Sequence, residues 1–123
     1  MNNAKDNFIV NRLKAFKYAF KGAWLLIRKE PSIKVQFTCA VIVTILGFIL
    51  DISATEWIVQ LLAIGLVLAV EGLNTAVEKI ADFIHPEYHE KIGDIKDVAA
   101  GAVTFAAIIA AIIGLIIYIP KLL

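Results

Sequence analysis

At 123 residues the chain has room for one domain, and 60% of its residues are apolar against 19% charged. A water-soluble domain this small has too much surface per unit volume to hide that many apolar side chains, so lipid must cover part of it. A net charge of +1 sets up no overall field that would attract nucleic acid, and the single cysteine, Cys39, can form no internal disulfide.

The N-terminal segment is basic and aromatic at once. Phe8, Leu13, Phe16, Tyr18, Phe20, Trp24 and Ile27 alternate with lysines at roughly helical spacing. This predicts an amphipathic helix over about residues 5–29 lying on a membrane surface, with its aromatic residues at the headgroups. A cytosolic helix packed on the loops is the plainer alternative and matches the interface chemistry less well. Pro31 marks the break that follows. The first apolar run starts near Phe37, after a long charged stretch, whereas a secretory signal places its apolar core behind a short basic start. The chain is therefore expected to be retained whole.

Three membrane spans follow, over about residues 33–50, 56–84 and 97–119. A crossing helix needs about 20 mostly apolar residues. Val98 to Ile119 is uncharged throughout and is bounded by Pro120 and Lys121. The run Trp57 to Val70 is short, but the helical pattern continues to Ile84 although it carries Glu71, Glu78 and Asp82. Trp24 and Trp57 read as interface anchors. In the third span Ala102, Ala106, Ala110 and Gly114 form a stripe of small residues, which lets helices approach closely in lipid.

The charges orient these spans. The link over residues 51–56 has no lysine or arginine, whereas Lys5, Arg12, Lys14, Lys17, Lys21, Arg28, Lys29 and Lys34 precede the first span. Lys79, Lys91 and Lys96 surround the second connection, around residues 84–97. Basic loops stay in the cytoplasm, which places the N-terminus and that connection on the cytoplasmic side of an inner (cell) membrane, with the 51–56 turn and the C-terminus facing outward.

The second span carries the feature that points to chemistry. At 100° per residue, Asn74 lies about 60° from Glu71, and Glu78 and Asp82 each within about 20° of it. Four polar groups thus share one face of an otherwise apolar helix. Glu71 lies about 21 Å along the helix from Trp57, inside the inner leaflet, with Glu78 and Asp82 nearer the cytoplasm. A helix-end charge reaching for water explains Asp82 well and Glu78 less well. It explains Glu71 poorly, since a charged residue at the centre of a membrane helix costs about 2.5–3.5 kcal/mol.

Carboxylates beside a lysine-rich face suit a hard divalent cation such as Mg²⁺, which takes oxygen ligands and bridges phosphates. Glu87-Tyr88-His89 and Lys96-Asp97 face the same side. A nucleotide entering from water would meet a lipid hydroxyl arriving from the bilayer, with Glu71 as the base. No Gly-rich phosphate loop or Walker lysine is present. A small oligomeric transporter or proton-conducting protein would also need membrane carboxylates, together with a polar path across the bilayer. The outer halves are almost uncharged, with Gln60 the lone polar break in the second span. A scaffold subunit has no reason to align four polar groups. Spacing alone leaves a membrane enzyme and an ion pathway open.

The run Glu71-Gly-Leu-Asn74-Thr-Ala-Val-Glu78-Lys-Ile-Ala-Asp82, then Glu87-Tyr88-His89, then Lys96-Asp97-Val-Ala-Ala-Gly101, resembles the bacterial membrane diacylglycerol kinase family, which includes undecaprenol kinases. The resemblance covers nearly the whole chain, including Lys21-Gly22 and Glu30. It implies an all-α membrane protein, a homotrimer of three-span subunits with an N-terminal surface helix, that phosphorylates a lipid alcohol with ATP and Mg²⁺. By that resemblance Glu71 is the catalytic base, supported by Asn74, and Glu30 and Glu78 hold the metal. Nucleotide contacts fall on Arg12, Tyr18, Glu87, Tyr88, His89, Lys96 and Asp97, with Asp82 near the centre. Gly72 stands where larger apolar residues are usual, a change in the lipid-facing wall. Ser32 and Gln36 replace a common Asn and His. His85 has no counterpart and reads as a solvated loop residue, and Pro86 excludes a helical zinc pair of His85 with His89.

Overall fold

The computed structural model describes residues 7–123. Four helices follow in order, α1 (Phe8–Lys29), α2 (Pro31–Ile49), α3 (Ala54–Ile84) and α4 (Glu90–Leu122), with no strand among the described residues. The last three are each long and apolar enough to cross a bilayer, so the chain is an all-α membrane protein. Lys5 and the start of the expected surface helix lie outside the described residues. From Phe8 onward the segment is one helix with no buried residue.

Each boundary has a local cause. Asn7 caps α1, its Oδ1 accepting from the Val10 N–H at 2.8 Å. A residue before proline is pushed out of the helical region, and Glu30 accordingly sits at φ −98°, ψ 115°. Pro31 then opens α2, where its missing N–H leaves nothing unpaired. The chain reverses at Asp51, whose φ of 50° is left-handed and tolerable for a short polar side chain. The Ile52 N–H donates across this reversal to the Gly47 carbonyl at 3.1 Å. A capping box starts α3: Ser53 Oγ accepts from the Glu56 N–H at 3.1 Å, and Glu56 Oε1 from the Ser53 N–H at 2.9 Å.

The fourth helix differs from the expectation at both ends. It begins at Glu90 rather than at 97, because His89 Nδ1 accepts from the Lys91 N–H at 3.1 Å and caps the first turn. It also passes through Pro120 to Leu122. A proline there forfeits one hydrogen bond within a turn of the chain end, and Leu123 N–H still reaches the Ile119 carbonyl at 3.1 Å.

Length decides what lies beyond the lipid. The 19, 31 and 33 residues of α2, α3 and α4 span about 28, 46 and 50 Å, against a hydrocarbon core of about 30 Å. With α2, α3 and α4 level at the 50–53 turn, the surplus of α3 and α4 projects at the other end. Their projecting turns, joined by residues 85–89, carry the lower part of the carboxylate stripe.

Apolar packing concentrates at the 50–53 end. Ile52, Ile117 and Tyr118 form a buried cluster, flanked by Val43, Leu46, Leu50, Trp57 and Ile113. Gln60, only 4% exposed, donates from Nε2 to the Val43 carbonyl at 3.3 Å. The Tyr118 hydroxyl lies 2.5 Å from Gln60 Oε1 and 2.9 Å from that same carbonyl. The lone polar break of the second span is thus a satisfied knot joining three helices. Ala106 is buried, whereas Ala107, Ala110, Ala111 and Gly114 border an apolar groove of about 310 Å³ between α2, α3 and α4.

The α2–α3 hairpin also depends on Gly47. A Cβ there would lie 2.7 Å from Trp57 Cη2 and 2.8 Å from Cζ2. Phe48 holds the other side of the indole, with ring centroids 4.8 Å apart. Gly47→Ala is expected to displace Trp57 and destabilise the fold by about 1–3 kcal/mol, read as a lower melting temperature in detergent.

Candidate active site

The stripe on α3 runs from buried to open. Glu71 is 5% exposed and Thr75, one turn on, is 4% exposed. Among the described residues no hydrogen bond or ion pair reaches the Glu71 carboxylate. Asn74 is half-buried; its Nδ2 donates to Glu78 Oε1 at 3.3 Å, and its Oδ1 is buried without a partner. Glu78 and Asp82 are exposed.

Two ion pairs bring other elements to this face. Lys96 on α4 meets Asp82 with Nζ 2.5 Å from Oδ1, which ties α4 to α3 across the 85–89 connection. Lys79 on α3 meets Glu30, at the α1–α2 junction, with Nζ 3.1 Å from Oε1. Gly72 contacts α1, which the expected lipid-facing role did not include: a Cβ there would lie 3.1 Å from Leu26 Cδ1.

The 85–89 connection has its own order. His85 Nδ1 lies 2.6 Å from the Glu87 carbonyl, and since a carbonyl only accepts, that nitrogen carries the proton. The His85 and His89 rings meet edge to face at 5.4 Å. With Nδ1 of His89 used as a cap, Nε2 is the atom left for a ligand. Tyr88 is 87% exposed. Arg12 stacks over Phe8 of its own helix, 5.7 Å from the ring centre. The side chains of Tyr18, Glu87 and Asp97 are exposed, and among the described residues none of these groups bonds to the stripe.

The structure thus joins Asn74 to Glu78, Asp82 to Lys96, and Glu30 to Lys79. Sequence reasoning missed Thr75 and Lys79. Thr75 had a signal, since it follows Glu71 by one turn on the same face. Lys79 had none, because its partner lies on another helix junction.

Among the described residues no three of His, Cys, Asp and Glu gather into a closed metal cluster. Glu30 and Glu78 each use Oε1 in the contacts above, which leaves Oε2 for a ligand. Two such carboxylates fit Mg²⁺, which commonly takes one or two and completes its shell with water and phosphate oxygens.

Residues 17–118 match the family model of prokaryotic diacylglycerol kinase, a stretch that includes every stripe residue and both ion pairs. The chain belongs to that family. Its activity is accordingly that of a lipid kinase. It is 40% identical over 109 residues to an undecaprenol kinase of Bacillus subtilis, with 89% of each chain covered. It is 33% identical over 103 residues to a diacylglycerol kinase of Escherichia coli, covering 81% of this chain and 82% of that one. A diacylglycerol kinase of Haemophilus influenzae is 30% identical over 109 residues, with 89% and 92% covered.

The Asp82–Lys96 pair separates stability from activity. Both side chains are substantially exposed, at 59% and 37%, and exposed pairs contribute about 0–1 kcal/mol. Asp82→Asn should therefore shift the melting temperature little, and lipid phosphorylation measured on the same detergent preparation should fall.

Proposed function

We propose that the chain transfers the γ-phosphate of ATP to the hydroxyl of a membrane lipid, with Mg²⁺ held by Glu30 and Glu78 and with Glu71 as the general base. The observation that carries this reading is Glu71 itself, a carboxylate 5% exposed and without a partner among the described residues, beside an open acidic and basic face. A base that must take a proton from a lipid alcohol needs to sit at lipid depth with its oxygens uncommitted.

In this reading the lipid hydroxyl approaches Glu71 from the bilayer, and Asn74 supports the centre by donating from Nδ2 to Glu78 Oε1. As the hydroxyl oxygen bonds to the γ-phosphorus, its proton passes to Glu71. The bond from that phosphorus to the β–γ bridging oxygen breaks, and ADP leaves. A bound Mg²⁺ supplies charge against the phosphate oxygens. Lys96 and Asp97, with Arg12, Tyr18, Glu87, Tyr88 and His89, are assigned to the nucleotide, and Asp82 to holding Lys96. Among the described residues no bond joins Arg12, Tyr18 or the 85–89 side chains to the stripe. That supports a site shared between subunits of a homotrimer, in which apolar surface exposed on the single chain is covered by neighbours and by lipid. The basic residues before α2 and around residues 79–96 support a multi-pass protein of the bacterial inner membrane with its N-terminus in the cytoplasm.

The higher identity to an undecaprenol kinase, 40% against 33% and 30% for diacylglycerol kinases, supports undecaprenol as the acceptor. Labelled ATP offered with each lipid in turn should label undecaprenol faster; faster labelling of diacylglycerol would reverse that assignment. Glu71→Gln should abolish turnover with either lipid while the protein stays folded and binds nucleotide. Full activity in that variant would remove Glu71 as the base.

A further inference from the structure

The α1–α2 junction is held against α3 at two points, and one of them is a residue that the reaction as described does not use. Glu30 lies between two helices, outside helical geometry because Pro31 follows it. Its backbone is fixed on both sides: its N–H donates to the Leu26 carbonyl at 3.2 Å, and its carbonyl accepts from the Lys34 N–H at 3.0 Å. Its side chain, 23% exposed, then meets Lys79 of α3 at 3.1 Å. Leu26, one turn earlier on α1, reaches α3 at Gly72. Leu26 and Glu30 are four residues apart, and Gly72 and Lys79 are seven apart. On α3 the seven-residue spacing returns to nearly the same helix face. The end of α1 and the junction after it therefore meet α3 at two points about two turns apart, at Gly72 and Lys79.

At Gly72 an added methyl group would press on the end of the Leu26 side chain, which would have to shift slightly to keep the contact. Lys79 makes the second. Its ammonium meets Oε1 of Glu30 at 3.1 Å. A carboxylate has about four lone-pair sites, so Oε2 stays open.

We propose that Lys79 is a positioning residue: with Gly72 it seats the α1–α2 junction on α3 and so holds Glu30 in reach of the site that Glu78 helps to form. This rests on the reading of Glu30 as a metal-holding carboxylate, but the seating itself does not depend on it. An exposed pair of this kind contributes little to global stability. Its effect is local, on where one carboxylate sits.

The test is hydrogen exchange of the peptide covering residues 26–34, measured without ATP or lipid, in wild type, Lys79→Met and Lys79→Arg. Lys79→Met should exchange about two- to fivefold faster there, with the rest of the chain unchanged, and Lys79→Arg should restore protection. Raising salt should speed exchange in wild type and leave Lys79→Met unaffected, since screening acts only on the charged pair. In the phosphorylation assay, Lys79→Met should need about two- to fivefold more Mg²⁺ for half-maximal rate, with kcat near wild type. Unchanged exchange in Lys79→Met, or no rescue by arginine, would overturn the proposal. Faster exchange with an unchanged Mg²⁺ requirement would keep the seating and overturn the role of Glu30, and thus the positioning assignment.

Discussion

Carboxylates on a membrane helix persist only where something other than lipid surrounds them, and here helix length arranges that. Because α3 and α4 are about 16–20 Å longer than the hydrocarbon is thick, their far turns leave the bilayer together. Asp82 and Glu78 then lie in the projecting part, while Glu71 remains at lipid depth, shielded by the protein. One helix therefore presents a polar group to a lipid and another to water within about three turns. A soluble kinase assembles its phosphate site from loops; in this chain a single helix crossing a dielectric boundary carries the aligned carboxylates.

The two ends of the bundle are held by different forces. At the 50–53 end the spans share a packed cluster, the Trp57 ring seated on Gly47, and a buried polar knot of Gln60, Tyr118 and the Val43 carbonyl. The Lys121–Glu56 pair, at 3.2 Å, closes that end. At the 85–89 end two ion pairs that water reaches, Asp82–Lys96 and Glu30–Lys79, join the elements beside the Leu26–Gly72 contact. Such pairs are individually weak and yield readily to ligands. A packed 50–53 end and an 85–89 end tied by exposed ion pairs suit a lipid kinase, which must admit both a lipid and a nucleotide.

The α1–α2 junction shows how one proline shapes the site. Pro31 forces Glu30 out of the helix, and a residue freed from helical geometry can aim its side chain across to another element. Lys79 and Gly72 then decide where that side chain stops. Both residues bear on placement, and neither stood out in the sequence as a reactive group.

Much was legible in the sequence because it follows from local rules. The spans came from the length of apolar runs, and the stripe came from helical spacing of Glu71, Asn74, Glu78 and Asp82. The break at Pro31 came from the backbone restriction before proline. The early start of α4 was not legible, since it depends on His89 turning its ring to cap a helix whose first turns are polar. Nor was Gln60 readable as structural, because its partners Tyr118 and Val43 lie on two other helices. The sequence alone determined which residues could carry the chemistry, for helical periodicity is a property of neighbours in the chain. Only the tertiary structure decided which of them meet. Asp82 with Lys96, and Glu30 with Lys79, are matched by helix packing across distant segments, and no local rule reaches that far.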